Sequence, residues 1–106
     1  NFFYGARALK EAFYLDDYHA IEEEFPNFKF HLALDRPDPE ADAAGVPYVA
    51  GFVHNVMFET YLKQHENPED ALYLMCGPPM MVGAVVNLLD SLGVPPENIL
   101  YDNFGA

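Results

Sequence analysis

Ala71-Leu72-Tyr73-Leu74-Met75-Cys76-Gly77-Pro78-Pro79-Met80 is the stretch that decides the fold. Its first six residues are an unbroken apolar run of strand length, which reads as a central parallel strand buried on both faces. Gly77-Pro78-Pro79 breaks the run. From Met80 to Leu92 the pattern is helical. Pro79 suits the first turn, where a missing N–H costs nothing, and Gly93 suits the left-handed position that ends a helix. Residues 94–98 then lead to a last short strand at Ile99-Leu100-Tyr101.

Upstream, Phe2 to Gly5 reads as a strand, and residues 8–14 carry good helix formers. Asp16 or Asp17 caps a second helical stretch through Phe25, in which Tyr18, Ile21 and Phe25 form an apolar stripe. Residues 28–34 alternate cleanly, with Phe28, Phe30, Leu32 and Leu34 on one side, as in a strand at a sheet edge with one shallow face. Residues 35–45, rich in Pro and Asp, read as a polar surface loop. Helix periodicity returns over residues 52–65, where Val53, Val56, Met57, Phe58 and Tyr61 share a wide apolar face, and Asn67 to Asp70 is a turn. The order is β-α-β-loop-α-β-α-β. Strands alternating with helices predict an α/β fold: a parallel, Rossmann-like sheet with flanking helices, in one domain over residues 1–106.

Composition narrows the function. Of 106 residues, 17 are acidic and 5 basic, a net charge of −12. Phosphate backbones and anionic lipid surfaces repel such a chain, so neither nucleic acid nor a charged membrane face is a partner. The 51% hydrophobic fraction supplies a real core. No run of about 18 apolar residues and no signal-peptide pattern occurs. The single cysteine, Cys76, forms no internal disulfide and fits a reducing compartment. Asn1 opens directly on an apolar run, which suggests a piece cut from a longer polypeptide.

Chemistry concentrates at Cys76-Gly77-Pro78-Pro79-Met80. In open parallel sheets ligands sit outside the carboxyl ends of strands. Gly77 permits close approach there, and the helix that begins at Pro79 turns N–H groups and a positive dipole end towards the same place, which suits an anion. A tight strand-to-helix turn would ask for the same Gly and Pro. As a nucleophile Cys76 would need a neighbouring base and an oxyanion hole, and no histidine is close in sequence. His19, His31, His54 and His65 lack metal-ligand spacing, so no metal site is expected, and His31 reads as projecting from a strand face. Glu22 to Glu24 and the acids from Asp38 to Asp42 read as solvated faces. Met75, Met80 and Met81 read as core filling.

Cys-Gly-Pro-Pro-Met after an apolar strand resembles the nicotinamide-side motif of the ferredoxin–NADP reductase family. Tyr4-Gly5-Ala6-Arg7 resembles the segment after that family's second strand. Leu34-Asp35-Arg36 stands where NADP-using members carry a Ser-Arg pair, and Gly51-Phe52-Val53 and Phe104 also fit. Tyr4-Gly5-Ala6-Arg7 together with Asp16-Asp17-Tyr18 and Tyr101-Asp102-Asn103-Phe104-Gly105 is most similar to the sodium-translocating NADH:quinone reductases of bacteria.

The resemblance implies a partial NADH-binding domain, the C-terminal part of a flavoprotein that passes hydride from NADH to FAD. It places Cys76 beside the nicotinamide in a catalytic position, with Gly77, Pro78, Pro79 and Met80 around it and Phe104 stacked on the flavin. It puts Gly5, Arg7, Asp35 and Arg36 on the dinucleotide. At Asp35 a carboxylate would repel a 2′-phosphate but accept a hydrogen bond from a ribose 2′-hydroxyl, which favours NADH, while Arg36 keeps a phosphate partner available. Arg7 has a second reading, a surface ion pair. FAD and a 2Fe-2S cluster, with their domains and the other subunits of a membrane reductase at the cytoplasmic side of the inner membrane, would lie outside these residues.

One part of the family pattern is missing: no Gly-x-Gly occurs, so the Gly-rich loop and the first, central strand are absent. With family strand order 3-2-1-4-5 the remaining strands leave a gap of roughly 10 Å. Either strand 2–5 pairs directly with strand 72–76, or a second copy fills the slot. The corresponding alternative function is a non-catalytic half-domain that self-associates and binds dinucleotide poorly.

Overall fold

The computed structural model describes residues 1–103. The chain divides into two compact units, Asn1–Met57 and Phe58–Ala106. Both are built of parallel strands with helices between them, the expected α/β class.

The first unit holds β1 (Phe2–Ala6), α1 (Leu15–Glu24), β2 (Phe30–Leu34), α2 (Pro39–Ala44) and β3 (Val49–Ala50). Its sheet runs β1-β2-β3, all parallel. β2 is therefore a middle strand and not an edge: Leu32, Ala33 and Leu34 are all buried, so the alternation of residues 28–34 overstated the difference between its faces. The two-residue β3, too short to show a period, is what covers its outer edge. Phe30, Leu32, Leu34 and Ala41 form the core, with Phe2, Tyr4, Leu15, Tyr18 and Tyr48 packed against it. The ring of Tyr18 lies 4.9 Å from Phe2 and 5.1 Å from Phe30, which docks α1 on the sheet through aromatic contacts.

Several local readings change. Residues 8–14 form only a single 3-10 turn, Leu9–Glu11, and Tyr14 then adopts a left-handed backbone (φ 62°). That turn of the chain starts α1 at Leu15, so Asp16 and Asp17 sit in its first turn and cap nothing. Only Tyr18 of the apolar stripe is well packed, since Ile21 and Phe25 are exposed. Glu22 is no purely solvated acid: its carboxylate accepts the N–H of Phe30 at 2.9 Å and tethers α1 to the start of β2. The Pro- and Asp-rich segment contains α2, started by Asp38 as cap with Pro39 at the first position and ended by Gly45 in the left-handed conformation. A further helix, α3 (Val53–Thr60), is shorter than the periodicity over residues 52–65 predicted, and a 3-10 turn, Leu62–Gln64, follows it.

The second unit pairs β4 (Tyr73–Gly77) with β5 (Ile99–Asn103) in parallel, joined by α4 (Pro79–Ser91). Val82, Val85 and Leu89 of α4 are buried, as are Val94 and Ile99. Gly93 ends the helix with φ 83°, as the sequence predicted. β4, however, is not buried on both faces. Leu74 is 72% exposed and Leu72 61%, and Leu100, in register with Leu74, is 51% exposed. Alternate residues of a strand face opposite ways, so Leu72, Leu74 and Cys76 share the open face while Tyr73, Met75 and Gly77 share the more protected one. Met80 is 90% exposed and fills no core. Of the two alternatives for closing the gap, direct pairing of strand 2–5 with strand 72–76 does not occur among the described residues: β1 pairs with β2, and β4 with β5. No helix of the described residues is long and apolar enough to cross a membrane.

Candidate functional site

In the first unit, strand register brings three carboxyl ends level: Ala6 faces Leu34, and Leu34 faces Ala50. Arg7, Asp35 with Arg36, and Gly51 follow those ends directly. The Asp35 N–H donates to the Ala6 carbonyl at 3.1 Å, and the Gly51 N–H to the Leu34 carbonyl at 2.6 Å, so the loops leave the sheet from fixed points. Gly5 leaves no space for a side chain beside Val53. Asp35 is partly buried and Arg36 exposed.

Arg7 takes its surface-ion-pair form. Its Nε donates to Glu11 Oε2 at 3.0 Å and its Nη2 to the other oxygen, with the side chain 77% exposed. The hydrogen bond to Glu11, the charge of Glu11 and, more weakly, the charge of Asp35 hold the guanidinium above its ordinary value. A phosphate arriving here must compete with Glu11.

Asp38 and Tyr48 were not legible as more than surface residues. The Asp38 carboxylate accepts N–H groups from Leu9 at 2.8 Å and from Glu40 at 3.0 Å. These bonds, the Leu9 bond first, hold its carboxyl below the usual value. The Asp38 N–H donates to the Tyr48 hydroxyl at 2.9 Å, and that hydroxyl donates to Asp42 Oδ1 at 2.9 Å. An Asp directly before Pro and Glu was the available signal, because Asp-Pro with an acidic second position is a helix start.

In the second unit Cys76 faces Asp102 and Gly77 faces Asn103 at the carboxyl ends of the two strands. The thiol is free and exposed. Gly77 is buried, and a Cβ there would stand 2.5 Å from Cε of Met81. Pro78 precedes α4 without any side-chain cap, and Pro79 fills its first position. Two prolines supply no N–H, so the first main-chain donors at this helix end are those of Met80 and Met81. The carboxyl-end loops thus gather Gly5, Arg7, Asp35 and Arg36 in one unit and Cys76, Gly77, Pro78, Pro79 and Met80 in the other. Phe104 lies outside the described residues.

The histidines are engaged elsewhere. His31 stacks on Phe3 with ring centroids 4.3 Å apart and its Nε2 meets Asn1 Oδ1 at 2.9 Å, as a residue on a strand face would. The ring of His54 stacks with Phe52, and His65 Nδ1 accepts the Asn67 N–H. Among the described residues no three His, Cys, Asp or Glu side chains gather into a metal-holding group.

Parallel strands joined by helices define an α/β protein, and the chain belongs to the oxidoreductase NAD-binding domain family, whose profile matches residues 1–87. More particularly, it is 54% identical over all 106 residues to the F subunit of the Na(+)-translocating NADH-quinone reductase of Psychrobacter cryohalolentis, and it covers 25% of that protein. The corresponding protein of Pseudomonas aeruginosa is also 54% identical, again with 25% of its length covered. The chain thus spans about a quarter of the length of these relatives. Among solved structures, the Amycolatopsis cytochrome P450 reductase GcoB matches with a TM-score of 0.77 and 28% identity, over 96% of this chain and 28% of that one. The ferredoxin reductase in carbazole 1,9a-dioxygenase matches with a TM-score of 0.72, also at 28% identity, over 96% of this chain and 28% of that one.

Proposed function

We propose that these residues are the NADH-presenting part of a flavin-dependent, sodium-translocating NADH:quinone oxidoreductase. The observation that carries the proposal is a 54% identity over all 106 residues to a subunit of that reductase. Asp35 takes the ribose hydroxyl and Arg36 a phosphate. Cys76, with Gly77, Pro78, Pro79 and Met80, bounds the nicotinamide, and the N–H groups of Met80 and Met81 face the anionic part of the ligand. Phe104 covers the flavin. The protein's share of the work is positioning, because the hydride chemistry belongs to nicotinamide and FAD.

FAD is held mainly by other parts of the longer polypeptide. A 2Fe-2S cluster takes about four cysteine ligands, and this chain has one cysteine, so the cluster is not its own. Quinone and the remaining subunits, which the names of the relatives suggest, are part of the same proposal, and so is a place at the cytoplasmic side of the inner membrane.

The test is rapid-mixing reduction of the flavin by NADH in the full-length protein, beside NADH titration of the 106-residue chain. Saturable reduction by the full-length protein with weak or absent binding to the short chain is expected. Failure of the full-length protein to accept hydride from NADH would overturn the proposal.

A second behaviour belongs to the short chain alone. Leu72, Leu74 and Leu100 stand exposed on one sheet face, and unpaired parallel edges invite association. Alone, the chain self-associates through this face and is catalytically inactive.

A further inference from the structure

We infer that Asp38 is a positioning residue for dinucleotide binding: its carboxylate clasps the loop after β1 to the loop after β2, fixing where Arg7 stands relative to Asp35 and Arg36. This inference rests on the NADH-binding role proposed above.

The clasp has two rungs. The lower one is the sheet's own hydrogen bond from the Asp35 N–H to the Ala6 carbonyl at 3.1 Å. The upper one runs from the Leu9 N–H to Asp38 Oδ2 at 2.8 Å, between residues 29 apart in sequence. Arg7 and Ala8 lie between the rungs on one side, Arg36 and Pro37 on the other. A loop tied at one end only can swing; tied at both, its few free residues have little room to move.

Helix capping does not account for the upper rung. Capping α2 draws on the carboxylate through the Glu40 N–H, to Oδ1 at 3.0 Å, and through the Ala41 N–H. Oδ2 also reaches the Leu9 N–H of a different loop. Only a carboxylate offers an acceptor oxygen to each N–H, since a side-chain amide has one oxygen and one donor nitrogen. Tyr48 sets the carboxylate in place: its hydroxyl receives the Asp38 N–H at 2.9 Å and is itself anchored on Asp42 at 2.9 Å. The depressed Asp38 carboxyl agrees with a charged group that its N–H donors, Leu9 first and then Glu40 and Ala41, favour. Asp38 belongs to the unit that carries Asp35 and Arg36 and not to the one that carries Cys76, so its effect falls on binding and not on the rate of transfer.

The experiment uses the full-length protein with Asp38→Asn and Tyr48→Phe. Asp38→Asn is expected to raise the KM for NADH roughly tenfold, the loss of one charge-assisted bond, while flavin reduction at saturating NADH stays within about twofold of the parent. Amide exchange at Leu9 should accelerate in the same variant. Tyr48→Phe, which keeps the carboxylate but frees its backbone, should raise KM by a smaller factor, and it decides the matter if Asp38→Asn fails to fold. An unchanged KM in a folded Asp38→Asn, or in Tyr48→Phe where that variant decides, overturns the clasp. So does a fall in the saturated rate with no change in KM. If the parent protein itself does not bind NADH, the proposed function fails and the clasp falls with it. If the parent binds and Asp38→Asn binds equally well, the clasp alone is wrong.

Discussion

Gly5 and Val53 meet with no room between them: a Cβ on Gly5 would lie 2.9 Å from the Val53 Cβ and 3.4 Å from its Cγ1. The clash would be with a stiff β-branched side chain next to its own backbone, so neither partner can swing away. Gly5→Ala should therefore lower stability by ~1–3 kcal/mol. Urea unfolding of the full-length protein would show a reduced midpoint for this domain's transition, and an unchanged midpoint would mean that β1 and the start of α3 can part at no cost.

Asp35 directly follows the carboxyl end of β2, and in the proposed function its carboxylate takes the ribose hydroxyl and so disfavours a 2′-phosphate. Asp35→Ser should shift preference towards NADPH by roughly tenfold in kcat/KM, equivalent to ~1.4 kcal/mol. Parallel assays of the full-length protein with the two nucleotides check this. A ratio that does not move would remove Asp35 from the ribose site.

Cys76 is expected to act on transfer geometry more than on affinity. Cys76→Ala should slow flavin reduction at saturating NADH by more than it raises the dissociation constant. A variant that loses binding and keeps its saturated rate contradicts that role.

Much of this was legible in residue order, and what was not had local physical causes. The Gly77-Pro78-Pro79 break and the Gly93 stop are backbone constraints, independent of what packs around them, and both stand where the sequence put them. The burial of β4 was misjudged because an apolar run reports what a strand can bury, and here the Leu74 face is left open. β3 has two residues, too few for any periodicity. The site loops followed from strand ends, but the bond from Leu9 to Asp38 joins segments 29 residues apart, and no local pattern encodes it.

Burial holds the His31 imidazole below its ordinary value. Between the folded value and about 6.5 the unfolded chain binds the proton more readily. The folded state should then lose stability as pH falls through that window and be insensitive to His31 above it. His31→Gln should flatten this acid limb in denaturation measured from pH 7.5 to 5. An equally steep limb in the variant would assign it to other groups.

The open leucine face predicts how the 106-residue chain behaves alone. Sedimentation should show association that strengthens with salt, because screening relieves the mutual repulsion of chains carrying a net charge of −12. Leu74→Glu should return the chain to monomer. A parent chain that stays monomeric at every salt concentration would show that the face is tolerated in water.

The aromatic contacts of Tyr18 with Phe2 and Phe30 also bear on the order of events during folding. They close one strand-helix-strand segment whose members are near neighbours along the chain, and short closures forfeit little loop entropy and form fast. A ribosome releasing this polypeptide would have the Tyr18 nucleus complete before the thiol-bearing strand emerged. Kinetic measurements should find substitutions at Tyr18 slowing the folding arm of a chevron, and those at Leu89 acting mainly on unfolding.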